Sequence, residues 1–286
     1  MVKLLKLMKR ALQRTRWNFF WANFQLPEFT LEKITNSNDS IIPPITEFLC
    51  MPPYSGSTEF SKNDISPLLN LIRWKNPRAV LELGTAQGTT AANICATSYA
   101  KVYTINALPE QMEGNFISFT LTKEEIGQVY RKYGYADRVF QIYENTKSMD
   151  ILKYISPKSI DFAIIDACHD SDFVVNDFFK ILPALSSNAV VVFHDTHPSV
   201  TGHLLDSYLG CMYLRKCGFN IMHLKDTWWG IWFANSSSTH RNYKIKLFIL
   251  ADRIISFSVN QSTMMKEVTG LRWLASLFIR NKGSEA

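Results

Sequence analysis

The chain has 286 residues, 47% hydrophobic and 13% aromatic, enough apolar material for a sizeable core and too much for wholesale disorder. Its net charge of +6 is unevenly spread: residues 1–27 carry six bases and no acid, residues 241–286 carry eight bases against three acids, and the stretch between is acidic. An acidic body argues against a body-wide nucleic-acid groove, five cysteines without a C-x-x-C argue against a disulfide scaffold or zinc site, and no uncharged run reaches the ~18 residues of a membrane span.

These properties predict a cytoplasmic protein with one α/β domain, residues 61–240, between two basic extensions. In the first extension Leu4, Leu5, Met8 and Leu12 recur at helical spacing among lysines and arginines, and Trp17, Phe19, Phe20, Trp21 and Phe24 follow. That composition suits an arm lying on an anionic membrane surface, peripheral to its inner face. It suits equally an arm packed on the body or on a second copy in a homo-oligomer. Pro27, Pro43, Pro44, Pro52 and Pro53 then mark an irregular linker or lid reaching residue 60.

The domain opens with a helix predicted over Ser61 to Trp74, capped by Ser61, with Ile65, Leu68, Leu69 and Ile72 on one face. A first strand, Val80 to Leu83, runs into Gly84-Thr85-Ala86-Gln87-Gly88, after which Thr89 and Thr90 are placed to cap a helix through Cys95. Strand, glycine turn and helix start in direct succession let a ligand approach the backbone and favour an anionic group at the helix end. Gly84 and Gly88 stand four apart with Ala86 between them. That is not the G-x-G-x-x-G of a dinucleotide site, so a nicotinamide-dependent oxidoreductase is the weaker reading.

Glu82, two residues before the first glycine, completes a pattern that resembles motif I of the class I S-adenosylmethionine (SAM) methyltransferases, with Ala86 where a third glycine is common. The resemblance makes Glu82, Gly84, Thr85, Ala86, Gln87 and Gly88 cofactor-binding candidates. Lys101 to Asn106 supplies the second strand, and Asn106 stands where the family holds the ribose hydroxyls with an acid. A neutral hydrogen bond replaces a charge-assisted one there. A helix predicted over Leu121 to Tyr133 and a strand over Arg138 to Tyr143 follow, with Glu144 and Asn145 in the region that the family uses against the adenine.

The fourth strand, Ile160 to Ile165, ends in Asp166 and His169 and leads to a helix bearing Phe173, Val174, Phe178, Ile181 and Leu182; the fifth, Ala189 to Phe193, ends in His194, Asp195 and His197. Carboxyl ends of neighbouring parallel strands form the ligand crevice, so these ionisable groups are expected to meet there. D-x-x-H after one strand and F-H-D-T after the next resemble the Methyltransferase 24 family of small-molecule O-methyltransferases, over roughly residues 60 to 235. Ala167 and Cys168 depart from the glycine and acid common in that family, and Ser187-Asn188 from its glycine pair.

The expected fold is α/β, a doubly wound Rossmann-like seven-stranded sheet, mostly parallel. Phe219 to Leu224 and Trp228 to Asn235 form its antiparallel carboxyl-terminal pair. Residues 241–286 form a basic helical extension. The expected function is SAM-dependent O-methylation of a small-molecule or glycan hydroxyl, and the alternative is a non-catalytic binding or membrane-scaffold protein on the same fold. His169 is the first candidate base, since an unperturbed imidazole titrates near ~6.5, with His194 and Asp195 beside it. The resemblance also implies a divalent cation such as Mg²⁺ on Asp166 and Asp195. A histidine in the set would shift preference toward a transition metal.

Overall fold

The structure, a computed structural model, describes residues 26–31, 48–49, 61–112, 121–196 and 206–234. The chain divides into two compact units, Met1–Ser238 and Thr239–Ala286, and every described residue lies in the first. The amphipathic arm, most of the proline-containing linker, His197, His203 and the carboxyl-terminal extension lie outside the described residues.

One mixed sheet organises the first unit. In chain order its strands are β1 (Glu28–Phe29), β2 (Ala79–Leu83), β3 (Lys101–Ile105), β4 (Val139–Ile142), β5 (Ile160–Ile165), β6 (Leu185–Phe193), β7 (Met222–Leu224) and β8 (Gly230–Phe233). They lie in the order β1-β7-β8-β6-β5-β2-β3-β4. From β4 to β6 all pairs are parallel, and β8 runs antiparallel to both β6 and β7. The fold is therefore the expected doubly wound α/β sheet with an antiparallel carboxyl-terminal pair.

The sheet has eight strands rather than seven. Glu28 and Phe29, inside the segment expected to be linker, pair in parallel with His223 and Leu224. Around them the His223 N–H donates to the Pro27 carbonyl and the Lys225 N–H to that of Phe29. An edge strand presents unpaired backbone groups, and a short extended segment satisfies them without any alternating sequence to announce it.

Helices cover both faces. On one side α1 (Ser66–Lys75), preceded by a π-helical turn Ser61–Ile65, packs with α2 (Thr89–Thr97) and the short α3 (Gln128–Lys132) over Val80, Val102, Phe162, Val190 and Ile231. On the other α4 (Ser171–Ile181) and α5 (Asp206–Lys216) lie together, and Phe178 sets its ring against Phe193, Phe219 and Trp232. The sequence reading did not anticipate α5.

Three local expectations are corrected. Ser61 does not cap α1, because it is the first residue of the π-helical turn and the α-helix proper begins five residues later. Thr89 and Thr90 lie inside α2, whose N-cap is Gly88 at φ 83° with no side-chain cap. The helix expected from Leu121 is broken at Gly127, φ 75°, so that only Gln128–Lys132 is α-helical. The reason for the break is a docking contact: the Gly127 N–H donates to the Ala86 carbonyl and the Val129 N–H to that of Gln87. A Cβ on Gly127 would lie 2.3 Å from the Tyr130 ring, so the backbone there approaches as only glycine permits.

Chain order reverses between β2 and β5. From β2 the sheet grows one way through β3 and β4 and the other way through β5 and β6. In open α/β sheets the crevice outside the carboxyl ends at such a point is where ligands bind. Here it is bounded by Gly84 and Asp166.

Candidate functional site

The site begins with the turn after β2. Gly84 (φ 103°), Ala86 (φ 46°) and Gly88 (φ 83°) all have left-handed backbone, which folds the chain back tightly before α2. The turn is braced from below. The Gly84 and Thr85 N–H groups both donate to the Ile105 carbonyl, and the Ala86 N–H donates to Asn106 Oδ1 at 3.1 Å. Asn106 Nδ2 donates in turn to the Ala107 carbonyl, so this side chain holds the strained residue of the turn in place. Gly84, Gln87, Thr89 and Thr90 are half-buried and Ala86 is exposed, and the first N–H groups of α2 have no partner within the helix itself.

Glu82 lies beneath the turn rather than at its surface, 1% exposed. A directed chain of hydrogen bonds converges on it. Tyr130 Oη donates to Gln141 Oε1, Gln141 Nε2 to Thr85 Oγ1, and the Thr85 and Thr104 hydroxyls bond each other at 2.7 Å. Thr104 then donates to Glu82 Oε2 at 2.5 Å. The network ties β2, β3, β4 and α3 to the back of the turn. Burial pushes the Glu82 carboxyl up to about 8, against the Thr104 bond that opposes the shift, with the charge of Asp166 adding to it.

A pH prediction follows from that value. The folded state keeps Glu82 protonated while the unfolded chain ionises it near the ordinary 4.5. Its contribution to stability is therefore complete below about 4.5 and is lost as pH rises through about 8. Glu82→Gln, a neutral isostere, is expected to flatten this loss. Urea midpoints of the two proteins from pH 5 to 8.5 should diverge steadily, the variant holding its stability better.

Glu144 and Asn145 follow β4 and are occupied locally. Glu144 Oε1 accepts from Tyr154 Oη at 2.6 Å, and Asn145 bonds the Gln111 carbonyl and the Lys147 N–H.

The second half of the site hangs from β5 and β6. The Asp166 N–H donates to the Leu83 carbonyl and the His194 N–H to that of Ile165, which continues the strand pairing just far enough to bring the side chains together. Asp166 Oδ1 lies 3.2 Å from His169 Nε2 and 3.0 Å from His194 Nδ1. Asp195, held at φ 56°, turns its carboxylate to within 3.3 Å of a ring nitrogen of each histidine. Left-handed backbone on a non-glycine residue stores strain, and here it aims a functional group.

A fifth member comes from elsewhere. Asp64, in the turn before α1, places Oδ1 3.2 Å from His194 Nε2. The sequence reading missed it, although a signal was present. Asp64, Leu68 and Ile72 stand at i, i+4 and i+8, so an acid occupies the buried stripe of an apolar helix.

The electrostatics follow from this enclosure. Burial alone would raise Asp166, but His194 and His169 outweigh it and hold the carboxyl well below the usual range. Burial raises Asp64, only partly offset by His194. For His194, burial is overcome by Asp166 and Asp64, which lift the imidazole well above its ordinary value. His169 is lifted above 6.5 in the same way by Asp166 and Asp195. The His194 nitrogens make ion-pair contacts rather than aligned hydrogen bonds. Its ring packs on Trp229, with centroids 4.6 Å apart.

The two halves touch. A Cβ built on Gly84 would stand 2.1 Å from the Asp166 carbonyl oxygen, so the turn rests directly against the backbone of the acid that organises the cluster. The structure thus brings together Gly84, Asp166, His169, His194 and Asp195, adds Asp64, and sets Glu82 underneath.

Residues 81–196 match the family model described as a methyltransferase domain, Methyltransferase 24. Comparison with curated proteins gives no match. Similar solved structures include a methyltransferase from Podospora anserina bound to S-adenosylhomocysteine (SAH), 17% identical, covering 59% of this chain and 76% of that one with a TM-score of 0.43. Another is the O-methyltransferase involved in tomaymycin synthesis from Streptomyces achromogenes, in complex with SAM, at 16%, 57%, 75% and 0.42. A third is an O-methyltransferase from Bacillus cereus in complex with SAH, at 16%, 58%, 77% and 0.41.

Proposed function

We propose that this chain, whose residues 81–196 belong to the class I SAM-dependent methyltransferase family, methylates a hydroxyl group of a small molecule or glycan. The observation that carries the reading is the contact of Gly84 with Asp166, which sets an open glycine turn and an acid–imidazole cluster side by side.

SAM suits what the chain offers. Ala86 is exposed and Gly84 and Gln87 half-buried, so the turn admits close approach, and the N–H groups at the start of α2, which the helix itself leaves unbonded, suit an aminocarboxylate. When bound, SAM supplies a methyl group on positively charged sulfur. Three carboxylates, Asp64, Asp166 and Asp195, face two imidazoles, so the cluster favours a cation beside it even when both histidines are protonated.

What supports oxygen as the acceptor is the base. An alcohol or phenol must lose its proton as it attacks, and His169 is the more open of the two imidazoles, its side chain 27% exposed against 12% for His194. With Nε2–H donating to Asp166, the lone pair of neutral His169 is on Nδ1, where Asp195 Oδ2 stands 3.3 Å away and an acceptor hydroxyl must take its place. Asp166 then keeps the ring oriented and steadies the imidazolium that forms. The rest of the work is alignment, since methyl transfer is an in-line displacement.

A divalent cation is a second reading, favoured by one observation: ligand atoms of Asp166, His169 and His194 lie within 4.8 Å of one another. Those residues fit a metal and would hold it with two nitrogens and an oxygen, a set that suits Mn²⁺, Fe²⁺ or Zn²⁺ better than Mg²⁺. It would act as a Lewis acid on the acceptor oxygen. If so, methyl transfer is expected to vanish after dialysis against EDTA and to return with Mn²⁺ rather than Mg²⁺; transfer unaffected by EDTA assigns the proton to His169 alone.

Calorimetric titration with SAM, SAH and NADH tests the main reading, followed by transfer of labelled methyl from SAM to a panel of phenols, sugars and lipid-linked glycans. Binding of SAM and SAH is expected, with label recovered in a methyl ether. Binding of NADH in their place, or of none of the three, would overturn it. The basic amphipathic arm supports a membrane-borne acceptor and a peripheral location. Among the described residues no helix is long and apolar enough to cross a membrane.

A further inference from the structure

We propose that Asp64 is the positioning residue for His194, so that the reactive cluster is completed from outside the segment matching the family model, residues 81–196, by the turn leading into α1. The inference rests on the methyl-transfer reading for its functional consequence, though not for its geometry.

Packing gives no reason for a carboxylate at this position. Ile65, Leu68, Leu69 and Ile72 bury the apolar face of the turn and helix, and a buried acid among them is costly unless something answers its charge. The turn is fastened to the start of β8 by backbone atoms instead. The Asn63 carbonyl accepts from the Trp228 N–H at 3.0 Å, and the Asp64 carbonyl accepts from Trp229 Nε1 at 2.8 Å. Both bonds survive any substitution of the Asp64 side chain, so the carboxylate is separable from the anchor.

That carboxylate meets His194 from the side opposite the rest of the cluster. Asp64 Oδ1 faces Nε2 at 3.2 Å, while Asp166 and Asp195 face Nδ1 at 3.0 and 3.3 Å. The Trp229 ring, whose own nitrogen is tied to Asp64, closes one face of the imidazole. The ring is thus clamped at both nitrogens and on a face. Imidazoles whose outer nitrogen meets a carboxylate keep the other nitrogen fixed on its target, the arrangement by which histidines at reactive centres are commonly oriented. Without Asp64 nothing meets the outer nitrogen, and only the contacts at Nδ1 and the Trp229 ring are left to resist rotation about the Cβ–Cγ bond. Asp166 would then lose a partner 3.0 Å away, and with it part of what fixes His169.

The test uses the full chain, with Asp64→Asn and Asp64→Ala compared by long-range ¹H–¹⁵N NMR of the imidazole rings. Signals are assigned against His194→Gln, native packing is checked by Trp fluorescence, and SAH is the binding probe. The His194 nitrogens are expected to shift in both variants, more in Asp64→Ala, while SAH affinity stays within about threefold of the native protein. In any methyl-transfer assay that the native protein supports, kcat should fall by about 10²-fold with KM for SAM held. Unchanged His194 signals in Asp64→Ala would overturn the proposal, as would a loss of SAH affinity equal to the loss of rate, the mark of a merely structural residue. Failure of SAH to bind the native protein would sink the methyl-transfer reading alone, leaving the NMR comparison to decide the role of Asp64.

Discussion

A Gly84→Ala protein is expected to lose SAH binding by at least about 10²-fold while keeping its secondary structure. Two independent effects act at this one atom. The backbone φ of 103° is a conformation that an L side chain rarely adopts, so the methyl group is strained even in open space. The space is not open. The added Cβ would meet the Asp166 carbonyl oxygen at 2.1 Å, its carbon at 2.6 Å and the Ala167 Cα at 2.9 Å, all backbone atoms that cannot swing aside. Relief requires either the turn to lift or the end of β5 to retreat, and each movement separates the turn from the acid–imidazole cluster. Gly134→Ala is the matched control. Its φ of 77° carries similar conformational strain, but nothing lies within 4 Å of the new methyl. It should cost on the order of 1–2 kcal/mol of stability and leave SAH affinity unchanged. Both affinities are read by calorimetry and both stabilities by urea titration. Native affinity in Gly84→Ala would mean that the turn is not where the cofactor lies.

The contrast between these glycines also measures what a sequence can convey. Gly84 and Gly88 were legible because they interrupt an apolar strand at a point where a helix must start, a pattern confined to a dozen consecutive residues. The ends of β5 and β6 were legible for the same reason: an apolar run that stops at Asp166, and another that stops at His194 and Asp195, need only the rule that parallel strands share a carboxyl edge. Asp64 belongs to neither class. Its partner lies 130 residues away, and the contact depends on how α1 is rotated over the sheet, which a periodic pattern reveals only as an acid on the buried stripe.

Gly127 was misread from the opposite direction. Its surroundings favour helix, and what breaks the helix is a tertiary demand, the carbonyls of Ala86 and Gln87 reaching for N–H donors. Asn106 shows a subtler limit. The sequence places it at the end of the second strand, where the resemblance implies a contact with the ribose, and the structure has it just past that strand with its carbonyl oxygen engaged by the Ala86 N–H. A side chain that braces the turn and one that meets a ribose occupy the same strand end, and position alone does not separate the two tasks.

The same distinction bears on the two histidines, of which the sequence puts His169 first as a base. His194 is enclosed by Asp64, Asp166, Asp195 and Trp229, and its charge is answered on both ring nitrogens. A group so enclosed is out of reach of a bound hydroxyl. His169 too meets a carboxylate at each ring nitrogen, Asp166 at Nε2 and Asp195 at Nδ1, and exposure alone separates it from His194, so it is the group a bound hydroxyl can reach. His169→Ala is therefore expected to lower methyl transfer by about 10²- to 10⁴-fold with SAM affinity intact, the range usual for removal of a general base.

The pH profile supplies a sharper check. Burial lowers the His169 pKa, but the hydrogen bond to Asp166 and the charges of Asp166 and Asp195 raise it by more. Since a base must be neutral to act, the rate should climb with rising pH through a midpoint above the ordinary 6.5. Asp195→Asn removes one of the charges that raise it, so in that variant the rising limb should move toward lower pH. A limb that stayed in place in Asp195→Asn would take His169 out of the role of base, and an Ala variant turning over at the native rate would remove it as a metal ligand as well.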